Sequence, residues 1–195
     1  MSHATNLSPR LEARRERLLE AAELVFAREG LRGASMERIA AEAGVARATV
    51  YAYFTDKEDA FLQVSQRLAR EMEAVVDAAL AGPGAPAARV RNALLAKLEL
   101  AFRIARSSPQ AADLMAAKDR LAGPIFAEMD RRIIATLAVA LAEAGVPDPG
   151  HTAFVLLMGA KGVSHAVEDS AGLRAGVTLL VDAALRGLAA GAPRP

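Results

Sequence analysis

Arg47, Thr49, Tyr51, Tyr53 and Lys57 fall within the stretch "RATVYAYFTDK", which also holds both tyrosines of the chain. These residue types suit a nucleic-acid surface better than a core. An arginine can donate a fork of hydrogen bonds to a guanine edge, a threonine can bond a base or set its methyl against thymine, and Ala48 permits close approach. Tyrosine hydroxyls and a lysine ammonium can hold backbone phosphates. A blander role stays open for each. The tyrosines can be half-buried packing residues that bind only through a hydroxyl, and Arg47 a solvated charge at a helix start.

Such side chains act only if an element presents them together. In "SMERIAAEAGVARATVYAYF", Ile39, Ala40 and Ala43 make one apolar face, and Gly44 can take the positive backbone angle of a tight stop. Val45 opens a second apolar set with Val50 and Phe54. This predicts two short helices, Ser35 to Ala43 and Arg47 to Phe54, joined by a brief turn. The pair is too small to make a core alone. Packed on a preceding helix, it forms the helix-turn-helix support that sets its second helix in a DNA major groove. That preceding helix is predicted from Pro9 to Glu29, started by Ser8-Pro9, with Leu11, Leu18, Ala22 and Val25 on one face and Gly30 as its stop. Arg10, Arg14, Arg15 and Arg17 crowd its beginning. They read either as phosphate contacts or as a solvated face balanced by Glu12, Glu16 and Glu20.

After the short pair, Thr55 and Glu58 stand at capping-box spacing and predict the start of a long helix to about Leu80, with Phe61, Val64, Leu68, Met72, Val75 and Ala79 at helical spacing. "AGPGAPAA" then breaks the chain. This divides it into residues 1–55, a DNA-binding helix-turn-helix domain, and residues 56–195, a helical ligand-binding and dimerisation domain. Further helices are predicted near 86 to 106, 109 to 120, 124 to 145, 149 to 169 and 172 to 190, two of them started by Ser108-Pro109 and Asp148-Pro149. The expected fold is all-α, about nine helices, with the long fourth helix joining a three-helix N-terminal domain to a C-terminal bundle.

Composition agrees. Across 195 residues the chain is 53% hydrophobic but only 4% aromatic, so alanine, leucine and valine must carry the packing, and no window alternates as a strand does. There is no cysteine, which removes disulfides and thiolate metal sites and fits a cytoplasmic protein. No secretory signal is read at the N-terminus, and the longest apolar runs are interrupted by Lys161, His165, Asp182 and Arg186, so no membrane span is expected. Net charge is +1, and through Lys57 nine basic residues face eight acidic ones. A nucleic-acid footprint must therefore come from local arrangement rather than from bulk charge.

The segment "RLLEAAELVFAREGLRGASMERIAAEAGVARATVYAYFTDKEDAF" resembles the TetR family of transcriptional regulators, through its G-x-x-x-x-S-M-x-x-I-A-x-x-A-G-V and T-V-Y-x-Y-F-x-x-K spacings. The resemblance covers roughly the first third of the chain. It implies a homodimer whose N-terminal domains each place a third helix in a major groove, and whose variable C-terminal domain binds a small molecule. Carried over by position, Ser35 and Met36 present helix-start amides to phosphate, Arg47, Ala48 and Thr49 face bases, and Tyr51, Tyr53 and Lys57 grip the backbone. Two positions depart from the family pattern. Ala46 stands where a serine or threonine cap is frequent, which removes a cap typically worth about 1 kcal/mol, and Ala60 stands where leucine is common.

Beyond Gly82 no motif guides the reading. Phe102, Met115, Phe126, Met129, Phe154 and Met158 are adaptable apolar side chains that can line a cavity for a hydrophobic effector or simply fill the core. His165, Lys161 and Arg103 are the polar candidates for orienting such a ligand, or else surface and interface residues. The last two helices are rich in Gly159, Gly162, Ala166, Ala183 and Ala184 and too apolar for a single buried face. The resemblance implies a four-helix dimer interface built from this pair in each subunit. The alternative is a monomer with a thick core.

The leading expectation is a homodimeric repressor that binds a palindromic double-stranded operator and is released by a small hydrophobic effector. An effector-independent regulator acting with a partner protein is the alternative. An enzyme using the C-terminal cavity is remote. The three histidines His3, His151 and His165, without a cysteine, a glycine-rich phosphate loop or an H-E-x-x-H motif, offer no assembled constellation. No cofactor or metal is expected.

Overall fold

The computed structural model describes residues 9–191. These form nine α-helices: α1 (Pro9–Gly33), α2 (Met36–Ala43), α3 (Arg47–Tyr51), α4 (Lys57–Leu80), α5 (Pro86–Ser107), α6 (Ala111–Ala117), α7 (Gly123–Glu143), α8 (Pro149–Ala166) and α9 (Ser170–Gly191). A π-helical turn, Lys118–Ala122, lies between α6 and α7, and no strand occurs among the described residues. The all-α class is as expected. Ser8, the predicted first cap, and His3 lie outside the described residues. Two compact units emerge, one reaching to Leu68 and taking in Arg106–Ile125, the other made of Ala69–Ala105 and the chain from Phe126 onward. The divisions fall inside α4, α5 and α7, so neither unit ends at the sequence boundary of 55.

The first unit is built on α1. Leu18, Leu19, Ala22, Val25 and Phe26 are buried, and with Ile39, Val50, Phe54, Phe61 and Val64 they form one core. Phe26 and Phe61 meet edge to face, ring centroids 5.5 Å apart. Full burial of one such side chain contributes roughly 1.5–3 kcal/mol, so this wedge can hold two helices too short to persist alone. Leu11, predicted on the same face, is instead 43% exposed, because it precedes the point where α2 and α4 cover α1.

Three predicted boundaries move. Gly30 does not stop α1: the backbone there turns to φ 71°, and the helix resumes to Gly33. Only glycine fits, since a Cβ at Gly30 would lie 2.5 Å from the Asp113 carboxylate. Asp113 in turn accepts from the Arg32 amide at 3.1 Å and pairs with the Arg32 guanidinium at 3.1 Å. The α4 start also shifts by a residue. Asp56 accepts from the Asp59 amide at 2.8 Å, while Asp59 accepts from the Thr55 amide at 2.8 Å, so Asp59 rather than Glu58 completes the reciprocal cap. Glu58 pairs with Arg120. The segment predicted at 109–120 divides into α6 and the π turn, and the Ser108 hydroxyl, which accepts from the Gln110 amide, donates to the Ala27 carbonyl at 2.7 Å.

In the second unit Leu94, Leu98, Ile133, Leu137, Leu141, Leu156, Leu157, Leu173, Val177 and Val181 are buried. Asp148 caps α8 from a left-handed backbone, accepting from the His151 amide at 3.2 Å, with Pro149 at the first helical position as predicted. The α8–α9 pair is close-packed through small residues. A Cβ at Gly159 would meet Leu180 at 2.9 Å, and one at Gly176 would meet Val163 at 2.6 Å. Gly162, Ala166 and Ala183 are exposed, so the small residues divide between packing within the pair and lining its outer surface. Among the described residues no helix is long and apolar enough to cross a membrane, and no group of acidic, histidine or cysteine side chains is placed to hold a metal.

Candidate nucleic-acid interface

The presenting element is α3, and it is shorter than predicted. It ends at Tyr51 instead of Phe54, and Ala46 at its start has extended backbone (φ −67°, ψ 144°) with no side-chain cap. The Thr49 amide turns back to the Ala46 carbonyl at 2.8 Å. Val50, fully buried, and Phe54, 1% exposed, pin the helix from below. Around these two residues the outer side is left to solvent: Arg47, Ala48, Tyr51 and Ala52 are exposed, and Thr49 is half-buried. A short helix held by two apolar pegs is what lets its polar face remain uncovered.

On that face the side chains form one constellation. The Arg47 guanidinium donates to the Tyr51 hydroxyl at 3.1 Å and to the Glu37 carboxylate at 2.8 Å, and lies 5.3 Å from the centroid of the Tyr51 ring. The Tyr51 bond, then the Glu37 charge, raise the proton affinity of Arg47 further. Glu37 is held below the usual glutamate range, first by its own backbone amide, then by the Ser35 hydroxyl, and less by Arg47. Ser35 is the α2 N-cap and accepts from the Arg38 amide at 3.3 Å. The Met36 side chain is buried, which leaves its backbone amide at the first, unpaired position of α2 as its only polar offering.

Glu37 was not visible as a partner in the sequence. It lies ten positions from Arg47, across the turn, and only the αL cap at Gly44 (φ 65°) brings the start of α2 beside the start of α3. The consequence is that Arg47 is already aimed. An exposed pair is weak and screened by salt, whereas a bidentate guanine contact is stronger, so a base edge can displace Glu37.

The other predicted contacts are placed as follows. Tyr51 is 45% exposed, while Tyr53 is half-buried and its carbonyl accepts from Gln63 at 3.2 Å. Arg15 donates to the same Gln63 at 2.7 Å, tying α1 through α4 to the segment that follows α3. Lys57 donates to the Arg32 and Ala34 carbonyls at 3.1 and 3.2 Å, closing the loop after α1 and leaving one of its three N–H groups.

The predicted ligand residues are distributed differently. In the second unit Phe102 and Met129 are buried, Phe126 and Met158 half-buried, and His165 exposed with its Nδ1 2.7 Å from the Lys161 carbonyl. Phe154 is 48% exposed and stacks on His151, which turns it away from the core of its unit. Met115, 42% exposed, belongs to the first unit. Lys161 is bound to Asp130 at 2.6 Å, and the same carboxylate faces the buried Lys97 at 3.5 Å, a shared charge that sequence spacing did not reveal. Arg103 is exposed.

Residues 18–64 match the family model of bacterial regulatory proteins, tetR family. Over 56 residues the chain is 43% identical to the HTH-type transcriptional repressor SCO4008 of Streptomyces coelicolor, a match covering 29% of each chain. Over 66 residues it is 36% identical to the HTH-type transcriptional repressor AcnR of Corynebacterium diphtheriae, covering 34% of this chain and 35% of that one. The match thus spans about a third of these curated relatives. A solved transcriptional regulator from Rhodococcus sp. Rha1 shares the fold more widely, with a TM-score of 0.68 at 27% identity, covering 89% of this chain and 96% of that one.

Proposed function

We propose that this chain, which belongs to the TetR family of bacterial regulatory proteins, is a homodimeric DNA-binding repressor of a palindromic operator, released by a small hydrophobic effector. Residues 1–55 contact DNA, and residues 56–195 serve ligand binding and dimerisation. The observation that carries the DNA-binding reading is the exposed Arg47–Tyr51–Glu37 constellation on a helix pinned only from beneath. Arg47, Ala48 and Thr49 read base edges. Ser35, through its cap, and Met36, Tyr51, Tyr53 and Lys57, through N–H or O–H groups, hold phosphates.

Two such helices, one per subunit, read half-sites about 34 Å apart. The α8–α9 surface, with Phe154, Val155 and Leu179 exposed, supports a dimer through the last two helices. Phe102, Phe126, Met129 and Met158 supply the apolar lining for an effector. A coupling of roughly 1–3 kcal/mol between effector and DNA would weaken operator binding about 5- to 150-fold.

Selection of bound fragments from random duplexes tests the reading. Wild type should enrich a two-fold symmetric sequence. Arg47→Ala should lose roughly tenfold or more in discrimination at one base position of each half-site. Tyr51→Phe removes a phosphate contact and the hydroxyl that Arg47 bonds, so it should weaken all sequences and blunt the preference at the Arg47 position less than Arg47→Ala does. No enrichment by wild type, or an unchanged preference in Arg47→Ala, would overturn the assignment.

A further inference from the structure

The helix that supports the interface also carries a charge pattern that the described residues do not neutralise. Arg10, Arg14 and Arg17 recur at four- and three-residue spacing and so share one face of α1, whereas Glu12, Glu16 and Glu20 share another. All three arginines are exposed, and together with Leu11 and Ala13 they line a shallow surface depression. The acidic face is partly spent elsewhere. Glu16 pairs with Arg67 of α4 at 2.7 Å, and Arg67 also engages Glu23. Arg10 and Arg14 make no ion pair among the described residues. Their position near the N-terminal end of a helix, where the backbone dipole is itself positive, adds to the uncompensated charge.

This strip is continuous with the α2–α3 pair. The Arg17 guanidinium reaches the Ala43 carbonyl, at the end of α2, at 3.4 Å. From Arg17 to Arg10 the helix advances about 10 Å at 1.5 Å per residue. That is long enough for the strip to touch more than one backbone phosphate.

We infer that Arg10, Arg14 and Arg17 form a second, sequence-independent DNA contact, a backbone clamp on the duplex beside the major groove that α3 enters. The inference rests on the DNA-binding reading above and adds to it a surface that base recognition does not need. A row of arginines with no carboxylate partner among the described residues, adjoining the helix pair that the reading sets against DNA, complements phosphate. An anionic membrane would satisfy the same charge, but nothing ties a bilayer to the neighbouring turn.

The test uses a duplex of arbitrary sequence, because phosphate contacts require no operator. Affinity is measured over a range of salt for wild type, for Arg10→Ala/Arg14→Ala and for Arg10→Glu/Arg14→Glu, with helicity and melting temperature as controls. Arg17 is left intact because it bonds Ala43. Each phosphate contact contributes about 0.9 to the slope of log affinity against log salt. The double alanine variant should therefore bind with a slope smaller by about 1.8, and the double glutamate variant should bind more weakly still. Arg47→Ala should change base preference without reproducing the pattern.

If wild type binds duplex, Arg47→Ala loses base preference and the double variants keep the wild-type slope, the clamp is refuted while the recognition helix stands. If wild type shows no salt-dependent duplex binding, both fall together. An unchanged slope with lost binding to anionic vesicles would assign the strip to a membrane and overturn the proposal.

Discussion

The α2–α3 pair and the α8–α9 pair each leave a face exposed among the described residues, and the two faces have opposite chemistry. The first exposes Arg47, Ala48 and Tyr51 over buried Val50 and Phe54. The second exposes Phe154, Val155 and Leu179, the last at 67%, over buried Leu156, Leu157 and Val177. A guanidinium and a phenol in water lose little by waiting for a partner. A row of large apolar groups in water is unfavourable until covered, at about 25 cal/mol per Å². The contrast teaches that the two faces suit partners of different kinds: the first a polyanion that comes and goes, the second an apolar surface that stays, which on the proposed reading is a second copy of the chain.

Leu179→Asp breaks this comparison most forcefully. Because Leu179 is already exposed, the fold of a single chain should change by no more than about 0.5 kcal/mol. At a dimer interface each buried leucine contributes roughly 1.5–3 kcal/mol, and a buried carboxylate reverses the sign. The dissociation constant of the dimer should rise at least about a hundredfold, seen by sedimentation as a shift to half mass, with operator affinity falling in step. A variant that still sediments as wild type would show that the apolar face is not where two chains meet.

How legible each face was follows from how local its causes are. Ile39, Val45, Val50, Phe54 and the αL turn at Gly44 lie within sixteen consecutive residues, so spacing alone reveals two helices on one wedge. Capping chemistry is equally local, yet Thr55 and Glu58 at ideal spacing lost to Asp56 and Asp59, because two carboxylates one residue later take the Asp59 and Thr55 amides and Glu58 finds Arg120. Contacts set by long chain separation left no mark. Asp113 on Arg32, Ser108 on Ala27 and Asp130 between Lys97 and Lys161 join residues that sequence period cannot connect. The same holds for ligand residues: Phe102 and Phe154 are alike as types, and only the packing decides that one is buried and the other stacks on His151.

A smaller effect sharpens the comparison at the polar face. Ala46 has the extended backbone of an N-cap without an oxygen to accept from the next amides. Ala46→Ser should therefore add about 0.5–1 kcal/mol to the stability of the first unit and slow amide exchange at residues 47–50. If DNA orders the same amides, as the proposed reading expects, the variant should also gain less protection on binding duplex than wild type does. If exchange at these positions is already as slow in free wild type as in the core of α1, α3 is held by Val50 and Phe54 alone and the cap is immaterial.

The least effect is expected from acid. Glu37 has its carboxyl held below the ordinary range, so its proton is bound less readily in the folded than in the unfolded chain. A group depressed in this way adds stability above its unfolded pKa, and that contribution disappears as pH falls through the folded value. Stability of the α2–α3 corner should thus be flat at neutral pH and decline only in acid, and only slightly, because the pair is exposed. The order of causes makes a sharper test. The Glu37 amide and the Ser35 hydroxyl outweigh the Arg47 charge, so Ser35→Ala should raise the Glu37 pKa, followed by carboxyl NMR titration, more than Arg47→Ala does. The reverse order would mean that Arg47 is bound to Glu37 more strongly than a displaceable recognition side chain can be, and that the aim of α3 is fixed rather than offered.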